Sequence, residues 1–391
     1  MAESASVALS RLTTMRVGGV PERVITATTQ RDLVDAALSV WATGDDWLVL
    51  GGGSNLLVAD EPFEGTVIRV ATAGIDVLPD APDGFVRLRV QAGESWDGLV
   101  ARAVENGWAG IEALSGIPGL AGAAPMQNIG AYGQEVASAL VAIEFLDYET
   151  GEVERVPAAD LQLGYRSSTL KHGRAGVVVS IEVQLRDTSG EKQVLGEALG
   201  DPIEYAQLAT ALGVQLGDRV PLQQVREAVL RLRASKGMVL DADDPDTWSC
   251  GSFFTNPIVR ESFARSLPAD APRWPLTPDE PDVVEPLNAA PVDAWTAAQQ
   301  SLSAPNSARV AQPRLVKLSA AWLIERAGIR RGFSLPGSRA AISTKHTLAI
   351  TNRGDATADE VAQLARLVQG RVQAEFGVNL QPEPVLVGIE L

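Results

Sequence analysis

The most constraining stretch of this 391-residue chain is Gly116–Gly133 (GIPGLAGAAPMQNIGAYG), with five glycines, no charged residue and mostly small side chains. A stretch this small-chained must be approached closely by another group. A second such segment, Gly51-Gly52-Gly53-Ser54-Asn55, follows the apolar run Trp47 to Leu50. Backbone N–H groups there are free of Cβ obstruction, an arrangement that holds a phosphate without a lysine. Leu56 stands where the third glycine of a dinucleotide fingerprint belongs, and no GxxxxGKS/T occurs.

Read singly, the triplet is a tight turn after a strand and the longer segment a packing loop. Read together, they suit a guest whose pyrophosphate and flat ring need backbone donors and small side chains beneath them. Flavin adenine dinucleotide (FAD) fits that need. The residues expected to hold it are Gly51, Gly52, Gly53, Ser54, Asn55, Pro118, Gly119, Gly122, Ala123, Gln127, Asn128 and Gly130.

Charge closes off other classes. The chain carries 49 acidic against 33 basic side chains, a net charge of −16. Nucleic-acid binding needs basic side chains to neutralise phosphates, so no nucleic-acid partner is expected. No stretch approaches the roughly 20 apolar residues of a membrane span, and the N-terminus lacks a signal-peptide layout. The expectation is a soluble, cytoplasmic protein without a membrane partner. One cysteine, Cys250, and two histidines, His172 and His346, exclude internal disulfides and the usual Cys/His zinc site, so no metal is expected.

Glycine-punctuated runs read as strands at Trp47 to Leu50, Thr66 to Val70, Phe85 to Ala92, Val141 to Tyr148 and Val177 to Leu185. Helices are expected at Gln30 to Thr43 and Ser95 to Asn106. The pattern loosens from Asp187, so a domain boundary is placed near 188 to 200, before a helical stretch from Pro221 to Lys236. Residues 268–313 hold nine of the 23 prolines and the acidic run PDEPDVVEP, which reads as an extended insertion or linker. Thr357 and Glu360 make a capping-box pattern for a last helix that ends at Gly377, and Val385 to Leu391 reads as a terminal strand.

Three further positions stand out, each with an ordinary reading beside it. Ser252, in SCGSFFTNP, sits beside a glycine and two phenylalanines, as a turn over core aromatics also would. Arg166, in GYRSS, has a fork able to grip a carboxylate, although surface arginines are common. Glu383, between Pro382 and Pro384, is rigidly presented, although an acid near a chain end is ordinarily solvated.

Together and in this order, these residues resemble the UDP-N-acetylenolpyruvoylglucosamine reductases, flavoenzymes of peptidoglycan precursor synthesis. The matching stretches are TMRVGG from Thr14, Gly51 to Leu57, Gly116 to Gly133, Gly164 to Ser168, GSFFTNP from Gly251, KLSAAWLIERAG from Lys317 and QPEPVLVG from Gln381. They run nearly the whole chain, and GSFFTNP with PEPVLVG is specific to the family. A long Met238 to Asp246 loop and the expansion at 268–313 depart from it, but lie between the motifs.

The resemblance implies an α+β fold. Residues 1–190 would form a two-lobed FAD-binding domain of the PCMH/vanillyl-alcohol-oxidase type, split near 70. Residues 191–391 would form an α+β substrate-binding domain whose terminal strand packs back on the first. It also implies a monomer that takes electrons from NADPH through FAD and reduces a small molecule, UDP-N-acetylglucosamine enolpyruvate, to UDP-N-acetylmuramate. Arg166 would bind the substrate carboxylate and its developing charge. Glu383 would lie on the carboxylate's other side, protonated and so with a raised pKa. Ser252 would give the proton. Tyr132, Tyr205, Arg233, Lys236, Asn256, Lys317 and His346 are the expected substrate contacts, Tyr205 on a loop that closes over the diphosphate. Arg233 and Lys236, three apart at a helix end, can point one way, although favourable placement at a helix C-terminus also explains them.

Two other readings remain. One is a flavin oxidase of the same superfamily, many of which attach flavin through histidine; the flavin half has only His172. The other is a non-catalytic nucleotide-sugar sensor, against which the intact Arg166, Ser252 and Glu383 speak.

Overall fold

The computed structural model describes residues 2–4, 7–276 and 314–391; the Pro-rich stretch from 277 to 313 lies outside the described residues. The first sheet sets Pro21–Ala27, Phe63–Val70 and Asp46–Leu50 side by side in parallel, with Ala2–Ser4 antiparallel at its edge. Parallel neighbours need a crossover, which the helix Gln30–Trp41 supplies. Its first turn is closed by Thr29, whose side chain accepts from Asp32 N. The buried face Leu33, Ala36, Ala37 and Val40 packs on Ile25, Ile68 and Val70, and also on Leu146, Val177 and Val179 of the second sheet. One helix thus bonds the two lobes together.

The second sheet is antiparallel, in the order Val153–Pro157, Leu140–Asp147, Gly176–Asp187, Phe85–Gln91, Ile75–Leu78. Its central strand is buried without a break from Val177 to Val183, as a strand covered on both faces must be. The helix Trp96–Asn106, capped by Ser95, lays Trp96, Leu99, Val100 and Ala103 into the same core.

The helix Leu222–Ala234, which the expected boundary assigns to the second domain, packs on this lobe. Val225, Ala228 and Val229 meet Ala113, Ile203 and Leu208, and Arg226 grips Asp97. The C-terminal core is built on Ala358–Phe376, whose capping box and Gly377 C-cap form as the sequence predicts. Val361, Leu364, Val368 and Val372 meet Phe253, Phe254, Leu323, Ile342 and Ile350, and Met15, Val17 and Leu57 of the N-terminal half share this core. Each such fully buried side chain contributes about 2 kcal/mol.

The last strand, Val385–Val387, pairs in parallel with Leu56–Val58, which the two residues Ser54 and Asn55 separate from the glycine triplet. It is shorter than the sequence predicts because Gly388, at φ +69°, turns the chain away. No helix of the described residues is long and apolar enough to cross a membrane, and among them no His/Cys/Asp/Glu group is arranged to hold a metal ion. Cys250 is buried, donating to Leu56 O, and burial pushes its thiol up to about 12.

Candidate active site

The strand Asp46–Leu50 delivers Gly51–Asn55 against Pro118–Ala123. Ser54 Oγ donates to Pro118 O at 3.1 Å, and the two backbones touch: a Cβ on Gly52 would stand 2.9 Å from Gly119 Cα. Glycine is therefore required at Gly52 by the chain itself. Among the described residues, no acceptor takes the N–H groups of Gly52, Gly53 or Ser54. Amides left over at a turn after a parallel strand suit a pyrophosphate, so these residues fit FAD.

Arg166 occupies a tight turn in which Gly164 and Ser167 exchange N–H···O bonds of 3.1 and 3.2 Å. Arg166, Tyr132 and Asn128 take φ of +52°, +50° and +47°, among only six non-glycine residues with positive φ in the described residues. Such a conformation costs about 1–2 kcal/mol, and persists only where the surroundings hold it. Asn128 does the holding. Its amide donates to Glu135 Oε2 at 2.9 Å and Gly164 O at 3.1 Å, and its Oδ1 accepts from Ala137 N at 2.9 Å. The Asn128 side chain, expected at the cofactor, is thereby engaged within the protein.

Glu383 reaches this turn from the far end of the chain. Its Oε1 lies 3.0 Å from Arg166 Nε, while Arg166 also donates to Asn128 O at 3.3 Å and Gly130 O at 2.9 Å. The two expected catalytic residues touch each other. The cause is backbone anchoring: Thr255 N donates to Gln381 O at 3.0 Å and Glu383 N to Phe253 O at 2.9 Å. The same bonds bring the Ser252 loop to the site. Gln127 links acid to cradle, accepting from Asn55 Nδ2 at 2.8 Å and donating to Glu383 Oε1 at 3.4 Å. Burial pushes the Glu383 carboxyl above its ordinary range, against the pull of Arg166 and Lys171.

Ser252 Oγ lies 3.3 Å from His346 Nε2. Burial, with Lys236, Arg233 and Arg331 nearby, lowers His346 to about 4, so the ring is neutral at pH 7. Lys236 Nζ donates to Gln207 Oε1 at 3.0 Å and lies 5.5 Å from the centre of the Tyr132 ring, which meets Tyr205 edge-on at 5.7 Å. Burial lowers both cations, Arg233 to about 10. Arg233 donates to Met238 O at 3.0 Å, and its Nε is buried without a partner among the described residues. Lys236 lies beyond the helix end, because the helix stops at Ala234.

Lys317 Nζ stands 4.9 Å from the centre of the Tyr165 ring. Asn256 Oδ1 accepts from Ala320 N at 3.0 Å, capping the turn into the next helix. Tyr205 is the outlier of the expected set, 45% exposed and in contact with Tyr132 rather than with Arg166, Ser252 or Glu383. Three residues carry no mark of their own in the sequence: Tyr165, Lys171 and Arg331. Burial raises the Tyr165 phenol and lowers the Lys171 amine. Only adjacency to Arg166 in GYRSS signals Tyr165; nothing in the pattern points to the other two.

Residues 243–387 match the profile of the UDP-N-acetylenolpyruvoylglucosamine reductase C-terminal domain, and residues 21–157 that of a FAD binding domain. The chain is 62% identical to the UDP-N-acetylenolpyruvoylglucosamine reductase of Leifsonia xyli subsp. xyli, over 98% of this chain and 99% of the relative. It is 47% identical to that of Saccharopolyspora erythraea, over 98% and 95%. The crystal structure of the Thermus caldophilus UDP-N-acetylenolpyruvylglucosamine reductase superposes with a TM-score of 0.60 at 25% identity, covering 99% of each chain. The chain belongs to the UDP-N-acetylenolpyruvoylglucosamine reductase family of FAD-dependent oxidoreductases.

Proposed function

We propose that this chain, as a cytoplasmic monomer, uses NADPH to reduce UDP-N-acetylglucosamine enolpyruvate to UDP-N-acetylmuramate. The observation that carries the reading is the meeting of Arg166, Glu383 and the Ser252 loop beside the glycine cradle. The chemistry FAD supplies when bound is hydride transfer to the enolpyruvyl methylene carbon. Gly52, Gly53 and Ser54 would hold its pyrophosphate.

The protein's part is to manage the charge that hydride addition leaves beside the substrate carboxylate. An arginine has five N–H donors; here three are bonded to Glu383, Asn128 and Gly130. Two remain to bind a carboxylate whose charge grows in the reaction. Oε1 of Glu383 is occupied by Arg166 and Gln127, so a proton on this raised-pKa acid resides on Oε2 and is donated from there. Ser252 gives its proton to the carbon. Lys236 and Arg233, a cation pair in an acidic protein, would face the diphosphate, with Tyr132, Tyr205, Asn256 and Lys317 around the sugar and nucleotide.

The test is one anaerobic absorbance experiment on the purified holoenzyme. NADPH should bleach the flavin band, and the enolpyruvyl sugar should restore it without oxygen. Recovery only on admitting air would favour the oxidase reading, and no flavin band after reconstitution with FAD would favour the sensor.

A further inference from the structure

The contact between Ser252 Oγ and His346 Nε2, 3.3 Å, joins two loops that are themselves bonded through the backbone. Phe253 N donates to Leu348 O at 2.7 Å, and Ser249 pairs with Thr351 as an isolated bridge. His346 is fixed on its own side: its N–H donates to Ser343 Oγ at 3.3 Å, and its carbonyl accepts from Ala349 N at 3.1 Å. These backbone bonds fix where the main chains of Ser252 and His346 stand relative to each other.

The chemistry of the pair depends on which partner donates. If the ring accepted, the Ser252 O–H would point at imidazole and away from the substrate. If Nε2–H donates, the hydroxyl proton is free to leave, and the oxygen already has a donor aimed at it as charge develops. We infer that His346 is a positioning residue for Ser252, its neutral ring donating Nε2–H to Oγ so that the serine can act as an acid. This rests on the reductase reading above and replaces the expected substrate contact of His346. In the step, the Ser252 O–H bond breaks and a C–H bond forms at the carbon bearing the carboxylate. The electron pair left on Oγ is held by Nε2–H until solvent water returns a proton.

The surrounding charges favour a neutral ring. Lys236, Arg233 and Arg331 face it. On the neighbouring turn, Lys345 pairs with Asp244, and Asp246 is engaged by Thr344 and Arg353. The carboxylates that meet the chain neighbours of His346 are thus occupied.

The test compares His346→Gln, which keeps a donor, with His346→Glu, ionised among those cations and acceptor only, and His346→Leu, which offers neither. Each is loaded with FAD and followed anaerobically. Bleaching by NADPH should stay within about twofold of wild type in all three. Reoxidation by the enolpyruvyl sugar at saturation should fall less than about tenfold in the Gln variant and about 100-fold or more in the other two, the scale of losing one transition-state donor. Gln no better than Leu, or Glu as good as Gln, overturns the assignment. Nitrogen-15 NMR of the histidine-labelled holoenzyme gives a readout apart from turnover. With only two histidines in the chain, His346 should show protonated Nε2 and bare Nδ1 at neutral pH; the opposite tautomer overturns it too. A wild-type flavin that the sugar cannot reoxidise would instead remove the reductase reading, and this role with it.

Discussion

Glu383 Oε1 and Arg166 Nε lie 3.0 Å apart, yet burial outweighs that cation and raises the Glu383 carboxyl. Only its neutral form can donate to a substrate carboxylate, so the function it supports is present at low pH and lost as pH rises through the raised pKa. Glu383→Gln keeps a neutral donor and should retain at least about tenfold more reoxidation activity than Glu383→Ala, within the range a positioned donor provides. The falling limb on the alkaline side should vanish in the Gln variant. Equal loss in both variants would show that no donor is needed there.

Ser252→Ala should separate the two half-reactions. Reduction of the flavin by NADPH should proceed at the wild-type rate, whereas reoxidation by the enolpyruvyl sugar should slow by about 10² to 10⁴, because only that half needs an acid. Stopped-flow absorbance reads both. Equal slowing of the two halves would place Ser252 in binding or folding instead.

Asp97 fastens three elements at once: its Oδ1 accepts from Gly116 N at 2.6 Å and from Arg226 Nη1 at 2.6 Å, and its Oδ2 from Arg226 Nη2 at 2.9 Å. Burial raises its pKa, but Arg226 and the Gly116 N–H together outweigh burial, and the net shift is downward. A carboxylate with a depressed folded pKa stabilises the protein above its unfolded value of about 3.9, and that stabilisation is lost as pH falls through the folded pKa. The Asp97 side chain is 38% exposed, so screening limits the effect. Asp97→Asn should cost about 1–2 kcal/mol near pH 7, with the difference from wild type shrinking below about pH 4. Urea unfolding at several pH values measures it; a pH-independent difference would mean that the ion pair contributes nothing.

Elements whose cause is local were legible. Thr357 and Glu360 form the capping box that their spacing predicts, and the helices expected from Gln30 and Ser95 are present, capped by Thr29 and by Ser95. The glycine segments advertised a cradle because small side chains serve close approach, although at Gly52 the approaching group includes the chain's own Gly119. What local pattern cannot encode is contact across hundreds of residues. The Ser252–His346 contact spans 94 positions and the Asn55–Glu383 bond 328. Lys171 acquires its place only when the turn after Arg166 folds back toward Glu383. The helix Leu222–Ala234 meets Ala113 and, through Arg226, Asp97, contacts more than 100 residues away that its own pattern does not name.

The two ends of the segment 277–313 return to one place in the fold. Leu276 N donates to Leu315 O at 2.9 Å, and Pro275 pairs with Val316 across an antiparallel ladder. A connection whose ends are already neighbours closes with a short turn, and shortening a loop lowers its closure entropy by only about 0.6 kcal/mol per halving. Replacing residues 277–313 with an Asn-Gly turn should therefore leave FAD content and both half-reactions at wild-type levels, with unfolding free energy unchanged or raised by about 1–2 kcal/mol. FAD absorbance per protein and urea unfolding check this. A loss of flavin or of stability would show that the segment packs on the core beyond its hairpin ends, and selective loss of reoxidation would place it at the substrate.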